Sequence, residues 1–216
     1  MAPSETFDFR GPAGRLEAVL MRPEAPPLAA AVVCHAHPLH GGMMHFKVVF
    51  RAAKALQSAG LAVLRFNFRG VSRSEGVHDH GTGEQEDARA ALFELEGRFP
   101  GLPLVLGGFS FGSVVALRVA ARDARVRAVF ALGFPLSLAD ANALRAVGQP
   151  RLFVQGERDA FLPGESLRAL VEPLPPPREL VVVGGADHFF DGHEDALQGA
   201  VADWAEGRPW EKGSVA

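Results

Sequence analysis

Short apolar runs alternate with amphipathic segments along almost the whole chain. Consecutive apolar residues, as in AAAVVCH (29–35), are typical of a strand that is buried on both faces of a sheet. Segments such as KVVFRAAKALQSAG (47–60) carry apolar residues at helical spacing and end at a glycine. Because strands and helices alternate with short links, the pattern predicts a mostly parallel sheet that is covered by helices on both faces.

The predicted strands follow the apolar runs, and the first two form an antiparallel hairpin joined at GPAG. We expect strands at 6–9, 15–22, 29–35, 61–70, 102–108, 126–133, 151–156 and 178–185. We expect helices at 47–60, 84–99, 110–124, 138–147, 163–171 and 193–207. The sheet would be twisted and have about seven or eight strands. A chain of 216 residues fits a single domain over residues 1–216.

Composition and charge exclude several classes of partner. The net charge is −3 and the charges are spread along the chain, so we expect neither nucleic acid nor a membrane as a partner. No apolar run approaches the ~18 residues of a membrane-spanning helix, and the amino-terminal segment lacks the pattern of a signal peptide. A single cysteine, Cys34, fits a reducing compartment. We therefore expect a cytoplasmic protein, and the sequence leaves a homodimer open.

A serine stands where a predicted strand meets a predicted helix. The segment GFSFG (108–112) places Ser110 in the pattern G-x-S-x-G, which is typical of a nucleophile elbow. A strand that turns directly into a helix strains the serine backbone, and both neighbouring glycines avoid a Cβ collision. A phosphate-binding P-loop is disfavoured because Ser113 stands where that loop has lysine. Taken alone, the pattern also fits an ordinary glycine-rich turn.

A reactive serine needs a base, and the base needs an acid that orients it. The strand at 151–156 leads into Asp159, and the strand at 178–185 leads into His188. Carboxyl ends of parallel strands meet at one edge of a sheet, so these side chains are predicted to converge with Ser110 as a catalytic triad. The weaker candidates for the acid are Asp140, Asp187 and Glu157.

An acyl-transfer site also needs two N–H donors aimed at the oxyanion. One predicted donor is the backbone N–H of Phe111, the residue after the serine. The other is expected from the loop HAHPLHGG (35–42), from the N–H of His37. Leu39 is the second choice, since Pro38 has no N–H.

The chain resembles the α/β-hydrolase superfamily over nearly its whole length. It is similar in particular to small, lidless bacterial serine hydrolases related to the dienelactone-hydrolase-like branch. The segments that carry this resemblance are HAHPLHGG (35–42), FNFRGVSRSEG (66–76) and DHGTGEQED (79–87). The resemblance implies an α/β-hydrolase fold without a lid domain, the triad Ser110, Asp159 and His188, and the amides of His37 and Phe111 as the oxyanion hole. Dienelactone hydrolases use cysteine as the nucleophile, so serine here puts a dienelactone substrate in doubt.

We therefore expect a serine hydrolase that cleaves small carboxylic esters or thioesters through an acyl-enzyme, with a small acyl molecule as its partner. Residues 134–150 are too few for a lid domain, so the site should be open. Apolar side chains expected to contact the substrate are those of Leu39, Phe109, Phe134 and Phe189. The alternatives are a non-catalytic binding protein, or a peptidase or C–C hydrolase that uses the same triad.

Several other residues have two interpretations. His35, His37, His40 and His45 could bind a metal ion, but no acidic ligand lies within 29–50 and packing is the stronger interpretation. We expect neither a metal ion nor another cofactor. Arg69 either contacts a substrate carboxylate or holds the loop at 70–83 through an acidic partner. Cys34 lies within a buried strand and is expected to be a small core residue.

Overall fold

A computed structural model of the protein describes residues 4–136 and 144–211. The strands are β1 Ser4–Gly11, β2 Gly14–Met21, β3 Ala29–Cys34, β4 Leu61–Phe66, β5 Leu104–Phe109, β6 Val126–Leu132, β7 Arg151–Gly156 and β8 Arg178–Val183. The helices are α1 Lys47–Ser58, α2 Thr82–Arg98, α3 Phe111–Ala120, α4 Gly164–Val171 and α5 Glu194–Glu206. Short 3-10 helices lie at Pro38–His40 and Pro209–Glu211.

All eight strands belong to one sheet, in the order β1-β2-β4-β3-β5-β6-β7-β8. The first hairpin is antiparallel, and β2 pairs antiparallel with β4. From β4 to β8 every neighbouring pair is parallel. The carboxyl ends of β3, β5, β7 and β8 therefore meet at one edge, where the loops that follow them can share a site.

Two hydrophobic layers hold the sheet between the helices. In β3, Val32 belongs to the layer that contains α2, α3 and α4, whereas Val33 belongs to the layer that contains α1 and α5. Successive side chains of a strand point to opposite faces, so a strand covered on both sides must be apolar throughout. The mostly parallel sheet with helices on both faces that the apolar pattern predicted is confirmed.

Most predicted boundaries agree with the structure to within a few residues. The strand predicted to continue to Gly70 ends at Phe66, because the backbone N–H of Phe68 donates to the ring of His35 instead of to a neighbouring strand. Neither 3-10 helix was predicted. The helix predicted at 138–147 falls largely outside the described residues. In the described part of the chain, every helix is too short or too polar to cross a bilayer.

Candidate active site

Ser110 occupies a strained turn between β5 and α3. Its backbone angles are φ 52° and ψ −121°, a conformation that residues with a side chain rarely adopt. A Cβ at Gly108 would lie 2.6 Å from backbone atoms of Gly112, and a Cβ at Gly112 would lie 2.4 Å from the carbonyl oxygen of His35. The turn packs so closely against itself and against the end of β3 that only glycine fits on either side.

A chain of hydrogen bonds connects three residues that are far apart in sequence. Ser110 Oγ lies 3.0 Å from His188 Nε2, and His188 Nδ1 lies 2.8 Å from Asp159 Oδ2. Asp159 is fully buried and His188 nearly so. A carboxylate that faces Nδ1 favours the tautomer with its proton there, which leaves Nε2 free to accept the proton of the serine hydroxyl. The structure thus brings the three predicted residues together in the predicted order.

The carboxylate of Asp159 is held on both of its oxygens. Oδ1 accepts from the backbone N–H groups of Phe161 at 2.8 Å and Leu162 at 3.3 Å. Oδ2, which faces His188, also accepts from Gln155 Nε2 at 2.8 Å. The amide of Gln155 is fully buried, donates to the carbonyl oxygen of Leu162 and accepts from the N–H of Phe134. These bonds hold the carboxylate in place beside the imidazole.

Gln155 was not identified from the sequence. The available signal was a polar residue directly after the apolar run LFV of the strand RLFVQG, at the end nearest Asp159. A polar side chain inside a buried strand normally requires partners, but the sequence does not show which groups those partners are.

The alternative acids have other partners. Asp187 Oδ1 accepts from the backbone N–H groups of Phe189 and Asp191, and so stabilises its own loop. Glu157 Oε2 accepts from the N–H of Gly185 at 2.7 Å. Asp140 lies outside the described residues.

The two predicted oxyanion donors lie on neighbouring elements. Phe111 is the first residue of α3, where a backbone N–H has no partner within its helix. The ring of His37 lies 5.0 Å from the ring of Phe111, so the loop after β3 is adjacent to this helix end. The N–H of Leu39 donates to Nδ1 of His37 at 3.2 Å, so this second-choice donor is already engaged. The N–H of His37 therefore remains the better candidate.

His35 has a structural role. Its Nδ1 lies 2.6 Å from the carbonyl oxygen of Ala36, and its Nε2 accepts from the N–H of Phe68 at 3.0 Å. Burial lowers the pKa of His35 to about 4, so the ring is neutral and neither nitrogen is available to a metal. Burial and the neighbouring imidazoles also lower the pKa of His37. Within residues 4–136 and 144–211, no group of three or more histidine, cysteine or acidic side chains is arranged to hold a metal ion.

Arg69 and Cys34 also have structural environments. Arg69 forms a bidentate ion pair with the buried Asp87, with Nε–Oδ2 at 2.9 Å and Nη2–Oδ1 at 2.7 Å. The pair anchors the chain after β4 to α2, which agrees with the loop-holding interpretation. Burial raises the pKa of the Cys34 thiol, which therefore stays protonated.

The apolar side chains predicted to contact substrate divide into two groups. Leu39 and Phe189 are 68% and 43% exposed. The prediction was wrong for Phe109 and Phe134, whose rings are fully buried. Phe109 packs against the ring of His188 from within the core, and Phe134 packs against Phe153, so neither presents a surface to a substrate.

Phe161 was not identified from the sequence, although it follows Asp159 by only two positions. Its ring is 56% exposed and lies 4.5 Å from the ring of His188. The alternation pattern could not reveal it, because the loop that contains it has no periodicity.

Fold and site together define the class of protein. The family model for the alpha/beta hydrolase domain matches residues 29–202. The chain belongs to the α/β-hydrolase superfamily.

Two solved structures resemble the protein over nearly its whole length. One is described as an alpha-beta serine hydrolase homologue from Coxiella burnetii, with 39% identity, coverage of 94% of this chain and 97% of that chain, and a TM-score of 0.87. The other, from Xanthomonas campestris, is described as a serine hydrolase without lid, with 35% identity, coverage of 95% and 94%, and a TM-score of 0.87. An uncharacterized protein of Rickettsia prowazekii is 34% identical over 206 residues, which are 91% of this chain and 86% of that protein. The two solved structures support a lidless hydrolase fold and hydrolase chemistry at that coarse level.

Proposed function

We propose that this protein is a serine hydrolase that cleaves small carboxylic esters or thioesters through an acyl-enzyme. The observation that carries the proposal is the hydrogen-bonded series Ser110–His188–Asp159, set at a strained strand-to-helix turn. A serine hydroxyl is a weak nucleophile, and a neutral imidazole whose other nitrogen faces a buried carboxylate is the group that activates it.

The first half of the reaction forms the acyl-enzyme. Ser110 Oγ attacks the carbonyl carbon while its proton passes to Nε2 of His188, and the buried carboxylate of Asp159 stabilises the imidazolium. The N–H groups of Phe111 and His37 donate to the oxyanion. His188 then gives its proton to the leaving oxygen or sulfur, and the bond between that atom and the acyl carbon breaks.

The second half repeats this sequence with water. His188 accepts a proton from a water molecule, the resulting hydroxide attacks the acyl carbon, and the proton returns to Ser110 Oγ as the acid leaves. Only a neutral imidazole can accept that proton.

A small acyl substrate is supported by the surroundings of the serine. The relative from Xanthomonas campestris is described as being without lid. In this chain the side chains of Phe161 and Phe189 lie beside the imidazole of His188 and remain exposed. An open site of this kind suits small esters and thioesters without activation by a lipid interface.

Covalent labelling tests the proposal directly. The wild type is treated with a fluorophosphonate probe and assayed on p-nitrophenyl acetate, p-nitrophenyl butyrate and a short-chain acyl thioester. Ser110→Ala is the test variant, and Ser166→Ala, an exposed serine on α4, is the matched control. We expect labelling and hydrolysis in the wild type and the control, and a loss of at least about 10³-fold in Ser110→Ala. Absence of labelling in the wild type would contradict the enzyme assignment, and labelling without any ester or thioester hydrolysis would contradict the substrate class.

A further inference from the structure

Two exposed aromatic rings flank the imidazole of His188. The ring centroid of Phe161 lies 4.5 Å from that of His188, and the centroid of Phe189 lies 5.2 Å from it. The two side chains are 56% and 43% exposed. Large aromatic side chains that remain exposed beside a reactive group are typical of a binding surface.

Both rings belong to backbone segments that are held in place. The N–H of Phe161 donates to Asp159 Oδ1 at 2.8 Å, and the N–H of Phe189 donates to Asp187 Oδ1 at 3.0 Å. The ring of Phe189 also lies 6.0 Å from that of Phe46. Aromatic side chains have few rotatable bonds, so rings whose backbone is fixed lose little entropy when they bind a ligand.

The chemistry of the imidazole determines which part of an ester lies against these rings. His188 Nε2 must deliver a proton to the leaving oxygen, so that oxygen lies within hydrogen-bond reach of the imidazole. The acyl carbon is then bonded to Ser110 Oγ, and its oxyanion faces the N-terminus of α3. The group attached to the leaving oxygen is therefore the part of the substrate closest to the His188 ring.

We propose that Phe161 and Phe189 form the leaving-group subsite and select esters of neutral aromatic alcohols. The inference rests on the function proposed above and adds the identity of the alcohol. In the step concerned, the Ser110 Oγ–acyl bond forms, the bond between the acyl carbon and the alcohol oxygen breaks, and the proton of Ser110 leaves with the alcohol. Flat aromatic groups gain offset or edge-to-face contacts with such rings beyond the burial of apolar area.

A cationic alcohol is the alternative that the same rings could accept, because aromatic faces attract quaternary ammonium groups. The acidic groups of this loop are already engaged, however. Asp187 Oδ1 accepts from two backbone N–H groups, and Asp191 pairs with Lys47. The neutral alcohol is therefore favoured, and a cationic one is an outcome of the test.

A series of acetate esters with different alcohols provides the test. Benzyl acetate, cyclohexylmethyl acetate, ethyl acetate and acetylcholine all give the same acetyl-enzyme, so differences in kcat/KM among them report the alcohol alone. Hydrolysis is followed by acid release in a pH-stat. We expect the wild type to prefer benzyl acetate over ethyl acetate by about 20-fold or more, within the range that one apolar pocket can supply.

The variants are Phe161→Ala, Phe189→Ala and their combination, with Phe161→Leu as a variant that keeps apolar volume without a ring. Phe93→Ala, which removes a 70% exposed ring on α2, is the control. We expect the double variant to reduce the benzyl-to-ethyl ratio by about 10-fold or more. The loss should fall mainly on benzyl acetate, and because both rings also lie against the imidazole of His188, the ratio of the two esters within each variant is the readout rather than either rate alone. Phe93→Ala should change nothing.

The outcomes separate this inference from the proposed function. The subsite is overturned if the benzyl-to-ethyl ratio survives in the double variant, if all esters lose activity equally, or if acetylcholine is the better substrate. An unaltered ratio in Phe161→Leu would show that the pocket selects apolar volume, which would overturn the aromatic part. In each of these cases Ser110-dependent hydrolysis persists. Absence of both fluorophosphonate labelling and hydrolysis of every ester would instead overturn the function and the subsite together.

Discussion

Replacing Gln155 with glutamate should disable the site without changing its shape. The substitution Gln155→Glu exchanges one NH2 group for an oxygen atom, at the point where Nε2 now lies 2.8 Å from Asp159 Oδ2. Two donated hydrogen bonds, one to Asp159 Oδ2 and one to the carbonyl oxygen of Leu162, become contacts between oxygen atoms. The same Asp159 oxygen faces His188 Nδ1 at 2.8 Å, so the change is transmitted directly to the imidazole.

The expected magnitude follows from this distance. Two carboxylates whose charge centres are ~4 Å apart repel by about 4 kcal/mol at an effective dielectric constant of about 20. Such a pair does not ionise fully near neutral pH, and a proton is shared between the two carboxyl groups. That proton competes with His188 Nδ1 for Asp159, so the negative charge that faces the imidazole is reduced. We expect kcat/KM at pH 7 to fall by roughly 10²-fold, less than the ~10⁴-fold that full loss of the carboxylate charge costs a protease triad.

The assay is kcat/KM for p-nitrophenyl acetate from pH 5 to 9, with thermal unfolding followed by circular dichroism. Gln198→Glu is the control. The amide oxygen of Gln198, on α5, accepts from Arg51 on α1, so the same chemical change is made away from Asp159. If folded Gln155→Glu kept kcat/KM within about threefold of the wild type between pH 6 and 8, roughly the scatter of a neutral surface change, the bond from Gln155 would not govern the triad carboxylate.

Three further predictions concern the framework of the site. A Cβ at Gly112 would lie 2.4 Å from the carbonyl oxygen of His35, so Gly112→Ala should lower the free energy of unfolding by roughly 3 kcal/mol. Gly199→Ala, in open space on α5, should raise it by about 0.5–1 kcal/mol in the same urea titration. Because burial lowers the pKa of His35 to about 4, its ring should remain neutral at pH 5 in nitrogen-15 NMR spectra, and a midpoint near that of a free imidazole would contradict this assignment. The unfolded chain binds that proton first, so stability should decline by about 1.4 kcal/mol per pH unit below pH ~6.5 and level off below the folded pKa. Arg69→Lys should lower the free energy of unfolding by about 2 kcal/mol, because lysine cannot form a bidentate pair with the buried carboxylate of Asp87. Arg208→Lys, at an exposed pair, should lower it by under about 0.5 kcal/mol in the same urea denaturation.

Much of the architecture could be predicted from the sequence because it is encoded locally. Apolar runs that must be buried on both faces mark the parallel strands, and helical spacing marks the segments between them. Gly108 and Gly112 mark the strained turn, since only glycine fits where the backbone is so close to β3. Asp159 and His188 follow strand ends, and the rule that parallel strands share one carboxyl edge was enough to place them near Ser110.

Tertiary contacts alone determined which side chains surround Ser110, His188 and Asp159. The partners of Gln155 lie in the loops that follow β6 and β7, and no local pattern links them. The buried rings of Phe109 and Phe134 and the exposed ring of Phe161 look alike in the sequence, because each is a phenylalanine at the end of a strand or in the loop that follows one. Whether such a ring joins the core or faces solvent depends on how densely the neighbouring strands and helices fill the space beside it. Periodicity thus determined which segments form the sheet, whereas packing between distant segments determined which side chains surround the serine.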